Sequence, residues 1–254
     1  MTSGRRPPTA STSPALCTTE RDGYVWVWFG PAEPDYALPG PPLDDLGMVK
    51  FHKHFQLEDS VATSPRRILE NTFDPNHLVA LHGLTVRGGV ASDLLDVTGA
   101  EALFGPADQP TARLGAVFSW SSYTGWLGRL SDLAGLNAER FELRVAAWPT
   151  LQHVWYLADG IQVYHLVLGV TPVAEEQSVQ HISVAVRRNP GRAIDLLRYA
   201  IHRVEVTAAA RQDLPIFNTI RSGDHHGIYV SGDRPLREFR RFYQRWVDQE
   251  GLDD

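Results

Sequence analysis

The sequence predicts an α+β domain in which an antiparallel sheet grips a long C-terminal helix. Three observations carry that expectation. Between about Leu84 and Val186 the chain is a succession of short apolar and β-branched runs cut by turn residues. After Asn189-Pro190-Gly191 the pattern changes: Ile194, Leu197, Ile201, Val204 and Ala208 recur at three- and four-residue steps, the period of a long amphipathic helix. The order, strands first and helices after, suits helices packed on an antiparallel sheet rather than alternating βα units.

The elements follow in order. Met1–Glu20 is rich in Pro, Ser and Thr without periodicity, so residues 1–21 read as a disordered leader ahead of one domain at 22–254. Tyr24–Phe29 (YVWVWF) reads as a buried strand stopped by Gly30-Pro31. Met48–Leu57 alternates apolar Val49, Phe51 and Phe55 with polar neighbours, as a strand does. Pro65–His82 offers Ile68, Leu69, Phe73, Leu78 and Leu81 to one side of a helix. Strands are expected at Ala112–Ser119, Arg140–Ala146, Gln152–Tyr156, Gln162–Val170 and Ser178–Arg187, with a helix between Thr124 and Leu136. The long helix from Arg192 should kink or end at Pro215. A last helix, Pro235–Val247, puts Leu236, Phe239, Tyr243 and Trp246 on one side and Arg237, Arg240, Arg241 and Arg245 on the other, the latter read as a solvated row.

Composition excludes several functions. A net charge of −6 leaves no domain-wide basic face for nucleic acid. Cys17 is the only cysteine, which rules out an internal disulfide and a cysteine-held zinc or iron–sulfur cluster within these residues. No apolar run approaches the roughly 18 residues of a membrane span, and Arg5-Arg6 is not followed by a signal-like core, so a cytoplasmic protein is expected.

One stretch carries candidate chemistry. In ENTFDPNHLVALHG (Glu70–Gly83) two histidines, His77 and His82, stand five residues apart. On a regular helix five residues turn the second ring roughly 140° from the first. Both could meet one ion if the helix were locally widened or one ring lay at a frayed end. By itself the spacing equally fits two unrelated histidines. Asp74 before Pro75 is a common helix start, an N-cap with Pro at the first position. Asp213, near a helix C-terminus, opposes the helix dipole and calls for a compensating partner. His225-His226, in a Gly-flanked loop, read as solvent-exposed, while His165 and His181, on strands, could line a cavity or be satisfied interior residues.

DGYVWVWFGP, ENTFDPNHLVALHG, TPVAEEQSVQHISVAVRR, RQDLPIFNTI and REFRRFYQRW occur in that order. Together they resemble Rieske-type non-haem iron oxygenases, and more narrowly the catalytic domain of the 3-ketosteroid 9α-hydroxylase and cholesterol 7-desaturase branch, over roughly residues 22 to 247. The resemblance implies a helix-grip, START-like catalytic domain in which His77, His82 and Asp213 hold Fe(2+), a 2-His-1-carboxylate set with open positions for O2 chemistry. It implies that Asp74 links a ligating imidazole to the cluster-bearing domain of a neighbouring subunit. It also implies hydroxylation or desaturation of an apolar, sterol-like substrate within a trimeric homo- or hetero-oligomer. Such enzymes carry a [2Fe–2S] cluster on two Cys and two His, which these residues cannot supply. Electrons would then come from a Rieske-domain-containing subunit or a ferredoxin. Two other readings stay open: a cluster-independent Fe(II) enzyme for cyclisation or isomerisation, and a non-catalytic companion that binds hydrophobic ligands. Trp120, Tyr123, Trp126, Trp155 and Phe217 are candidates for the cavity lining or for ordinary core.

Overall fold

The computed structural model describes residues 16–28, 34, 37–41, 43, 54–83, 86, 88–121, 129, 138–220 and 229–250. Order begins earlier than the composition suggested. Thr18–Arg21 form strand β1, paired antiparallel with β2 (Tyr24–Val27), so the tail of the expected leader is part of a hairpin. The reason is the two-residue Asp22-Gly23 loop. Both residues have positive φ, 57° and 81°, as a tight turn matched to the strand twist requires. The segments at 48–53 and 124–136, the latter except for residue 129, and His52, His225 and His226, lie outside the described residues.

A seven-stranded antiparallel sheet follows, in the order β3-β9-β8-β7-β6-β5-β4. Its members are β3 (Phe55–Val61), β4 (Ala91–Leu95), β5 (Leu114–Ser121), β6 (Arg140–Ala147), β7 (Leu151–Ala158), β8 (Ile161–Ala174) and β9 (Gln177–Val186). Strands β5 to β9 form a continuous meander, and the expected strands of this region all appear with ends moved by a few residues. Within 54–57, only Phe55–Leu57 of the strand expected at Met48–Leu57 is strand, and that strand runs on to Val61. Every residue of central strand β7 is buried, so the sheet is covered on both faces.

Alternation then sorts β7 and its neighbours by face. One face presents Val154 and Tyr156 on β7, Tyr164 and Leu168 on β8, and Ile182 and Val184 on β9 to the main core. The other presents His153 and Trp155, and buries Trp148, Trp155 and Leu157 with Phe104 and Ala112. Each large apolar side chain so buried contributes about 1.5–3 kcal/mol. On this second face Arg21 donates to the carbonyls of Leu38, Pro39 and Gly40, which pins that segment over His153. Gly40 has φ of 76°, and a Cβ there would sit 2.2 Å from the His153 ring, so only glycine fits.

Helices close the first face. Pro65–His82 is not one helix but α1 (Pro65–Glu70), a 3-10 turn (Asn71–Phe73) and α2 (Pro75–Ala80). A short helix α3 (Val97–Phe104), started by the Asp96 side chain accepting from Gly99 N and ended by Gly105, sits where only strands were expected. The long helix α4 spans Arg192–Thr219 and passes through Pro215 rather than stopping there. Proline removes one ladder bond, but tertiary contacts hold the last turn. Phe217 is buried, and Asn218 Oδ1 accepts from Ala62 N at 2.8 Å, fastening that turn to the end of β3.

The last helix, α5 (Arg234–Glu250), buries Phe239 and Phe242, with Phe239 stacked on Phe73 at 4.8 Å. Its arginine row is not uniformly solvated. Arg240 makes a two-pronged ion pair with buried Glu70, Nε–Oε2 2.7 Å and Nη2–Oε1 2.8 Å, and also donates to Tyr229. This pair clamps the end of α1, next to Asn71, to the C-terminal helix. Without Arg240 the buried carboxylate keeps, among the described residues, only Arg67, Nη1–Oε1 2.8 Å. Arg240→Met should therefore lower stability by about 2 kcal/mol, read as a drop in the urea midpoint with an unchanged m-value.

Candidate metal centre

The five-residue histidine spacing has a local cause. Asp74 opens α2 as its N-cap, the side chain accepting from Asn76 N at 2.9 Å, with Pro75 in the first helical position. At the other end the carbonyl of His77 accepts from both Leu81 N, at 2.8 Å, and His82 N, at 3.4 Å. The second bond spans five residues, a π-type turn, and it widens the helix where a regular one would carry the rings apart. Gly83, with φ of 65°, then ends the segment. The two imidazoles meet edge to face with centroids 5.1 Å apart.

Helix α4 brings the acid. Asp213 Oδ1 lies 3.5 Å from His82 Nε2, and ligand atoms of His77, His82 and Asp213 all lie within 4.8 Å of one another. Hydrogen bonding fixes which atoms face inward. Gln212 Oε1 accepts from His82 Nδ1–H at 2.8 Å, so in the neutral ring, the form that ligates a metal, His82 Nε2 carries the lone pair. The Asp74 main-chain carbonyl accepts from His77 Nδ1–H, which leaves His77 Nε2 unprotonated as well. Asp213 Oδ1 is buried and has no hydrogen-bond partner. A lone pair thus faces a carboxylate oxygen with no donor between them. Two opposed acceptors repel, and a buried polar atom left unpaired costs roughly 1–3 kcal/mol. A cation shared by both removes the problem, and the donor set, two neutral imidazoles and one carboxylate, fits ferrous iron.

Electrostatics agree with that chemistry. Burial pushes the Asp213 carboxyl up to about 6, against the opposing pull of His82 and a hydrogen bond from the Asn71 side chain. Burial pushes His77 down to about 4, so it is neutral at any ordinary pH. Asp74 is raised as well, mainly by burial. Because folding raises Asp213 above its unfolded value, its contribution to metal-free stability is present at low pH and is lost as the pH rises through about 6.

Beyond the three, the described residues line a cavity of about 200 Å³ between α4 and the sheet. Of the aromatic candidates, Trp120 and Phe217 line it; Trp155 lies on the opposite face of the sheet, and Tyr123 and Trp126 fall outside the described residues. His165 and His181 do not line it. His165 is stacked on Trp155 at 4.7 Å and bonded to His153 at 2.9 Å, and His181 meets Thr171 and Glu58. Residues that the sequence reading passed over are Asn71 and Gln212, which orient the ligands, and Gln180 and Glu205, polar groups in the cavity wall. Gln212 stands inside the RQDLPI segment and could have been found there. Asn71 and Gln180 likewise stand inside the ENTFDPNHLVALHG and TPVAEEQSVQHISVAVRR segments, and only Glu205 carries no sequence signal.

The fold is that of Rieske-type oxygenase catalytic domains. Dicamba monooxygenase bound to 3,6-dichlorosalicylic acid matches with a TM-score of 0.69 at 14% identity, over 97% of this chain and 75% of that one. NdmB of Pseudomonas putida CBB5 matches with a TM-score of 0.60 at 12% identity, over 90% of this chain and 59% of that one. In sequence the chain is similar to aminopyrrolnitrin oxygenase PrnD of Pseudomonas fluorescens, with 31% identity over 255 residues. That alignment covers 95% of this chain and 66% of PrnD, so the chain spans just under two thirds of that relative's length. A further dicamba monooxygenase structure, with a TM-score of 0.53, contains non-haem iron. No protein-family model matches the sequence. None of these relatives is a steroid hydroxylase by name, so the narrower steroid placement goes without support from them.

Metal binding should follow the proton that Asp213 must give up. Below about pH 6 the affinity for Fe(II) should fall about tenfold per pH unit, and above pH 7 it should level off, in anaerobic titrations followed by competition with a chromogenic chelator.

Proposed function

We propose that this chain is the iron-bearing part of a Rieske-type oxygenase, which uses O2 to oxidise a small, largely apolar ring substrate. The observation that carries the reading is the unpartnered Asp213 Oδ1 facing the lone pair of His82 Nε2, with His77 beside them. Ferrous iron held there would supply open coordination positions for O2 and substrate oxidation. The chain's own residues do the rest. Gln212 and the Asp74 carbonyl hold both imidazoles as Nε2 ligands. The aromatic and aliphatic wall keeps water away and places the substrate against the ligand cluster.

Electrons come from outside these 254 residues. A Rieske [2Fe–2S] centre needs two cysteines, and Cys17 is the only one here. The donor is a cluster on a partner subunit, on a ferredoxin, or on a segment beyond this sequence. Asp74 is assigned the link from His77 towards that donor as the half-buried acid that opens the helix carrying His77. Assembly as a trimeric ring would set that residue at a subunit boundary.

Substrate size departs from the sterol-like expectation. The cavity of about 200 Å³ lies below the roughly 300–1,000 Å³ of pockets for drug-sized ligands. It suits one or two rings rather than four fused ones. Dicamba monooxygenase, whose structure holds 3,6-dichlorosalicylic acid, and NdmA, whose structures hold caffeine or theobromine, bind compounds of that smaller scale.

Purified protein loaded anaerobically should hold one Fe(II) per chain, and His77→Ala or Asp213→Ala should hold less than about a tenth of that under the same conditions. Absence of bound iron in the wild type would overturn the reading. With a reduced Rieske donor, oxygen uptake should depend on substrate, and Asp74→Asn should keep its iron while losing most donor-driven turnover.

A further inference from the structure

Two carboxylates line the cavity, and only one belongs to the ligand cluster. The other, Glu205, lies two turns earlier on α4, eight residues from Asp213, or about 12 Å along the helix axis. It is 6% exposed, in a wall otherwise built from Leu143, Tyr156, Tyr164, Leu166 and their like. A carboxylate in such surroundings is expensive unless its oxygens are used. One of them is: Oε2 accepts from Nδ1–H of fully buried His202 at 3.1 Å, which fixes the side chain in place. Among the described residues Oε1 accepts no hydrogen bond. His202 sits in turn 6.0 Å from the ring of Tyr164, so the Glu205–His202 unit is built into the wall and is not a surface pair.

We propose that Glu205 is the anchor for a hydrogen-bond donor on the substrate, which is therefore a one- or two-ring compound bearing an amine, ring N–H or hydroxyl at the end remote from the atom oxidised. The inference rests on the oxygenase reading only in taking this cavity as the substrate site. The chemistry excludes the opposite class. A ring acid in this orientation would set its carboxylate against that of Glu205 in a poorly solvated wall, where like charges repel strongly. A neutral or cationic donor instead completes the acceptor that the fold leaves open. The 12 Å offset sets the polarity of binding, with the donor towards Tyr164 and the opposite end towards the His77–His82–Asp213 cluster. Glu205 is thus a specificity-determining residue.

The probes are 4-aminobiphenyl, biphenyl and biphenyl-4-carboxylate, titrated by quenching of tryptophan fluorescence into the full chain, metal-free and anaerobically Fe(II)-loaded. Wild type should bind the amine about tenfold or more tighter than biphenyl and should discriminate against the carboxylate by at least as much. Glu205→Leu should erase the preference for the amine and relieve the rejection of the acid; Glu205→Gln, which keeps shape and an acceptor, should retain part of the first and lose the second. Should Glu205→Leu fail to fold, the Glu205→Gln pattern alone decides. An unchanged ranking in the folded variants, a wild type that prefers the carboxylate, or no measurable binding of the amine would overturn the proposal. Iron per chain, measured on the same samples, separates the two readings. Lost discrimination in wild type with full iron overturns only the anchor, and lost iron with discrimination intact overturns only the metal centre.

Discussion

At the heart of this molecule two hydrogen-bond acceptors are held against each other inside a protein. The fold uses a π-type turn, an Asp N-cap and a main-chain carbonyl to aim His77 and His82, then runs a helix from the far end of the chain to place Asp213 at 3.5 Å. With His82 neutral, neither member of that pair can donate to the other, because Gln212 has claimed the proton on Nδ1. A positive charge between them, a proton on Nε2 or a metal ion, relieves the opposition. Burial raises the Asp213 carboxyl against the opposing pull of His82 and of the Asn71 hydrogen bond, and a bound metal ion would reverse that preference.

Much of the surrounding structure exists to keep that geometry rigid. The α1–α2 segment is broken by a 3-10 turn and could wander if only local bonds held it. It is tied down from three sides. Arg240 grips Glu70, Gln152 Nε2 donates to the Leu69 carbonyl at 2.8 Å from the centre of the sheet, and Phe73 stacks on Phe239. On the other flank, the turn of α4 beyond Pro215 is held by Phe217 and by Asn218 on β3. The sheet supplies the floor, and because it is covered on both faces its strands cannot slide to accommodate a displaced ligand.

The same plan explains how one scaffold can serve different substrates. The cluster residues sit on α2, just after it, and at Asp213 of α4, whereas much of the cavity wall is drawn from strands β5 to β9 and from Glu205 to Ala210 of α4. A change at Leu143, Gln180 or Glu205 alters the wall without touching a histidine. Placement of the polar groups therefore governs what is bound, while the ligand cluster governs the class of reaction.

Sequence patterning determined the α+β class, the places of the strands from β5 to β9 and the long helix, while the three ligand candidates followed from the resemblance that ENTFDPNHLVALHG and RQDLPIFNTI carry. Period-two and period-3.6 patterns are local, and RQDLPI and DPNH are contiguous. Patterning was misleading where tertiary contacts outweigh local preference. Pro215 did not stop α4 because buried Phe217 and Asn218 hold the next turn, and Arg240 left the solvated row because Glu70, 170 residues away, offered it a partner. Only the tertiary structure decided that His165 turns away from the cavity, that residues five apart converge through a widened turn, and that Glu205 lines the cavity. Each of these depends on which face of a strand or helix meets which neighbour, and that is fixed by packing between segments far apart in the chain rather than by any stretch of it.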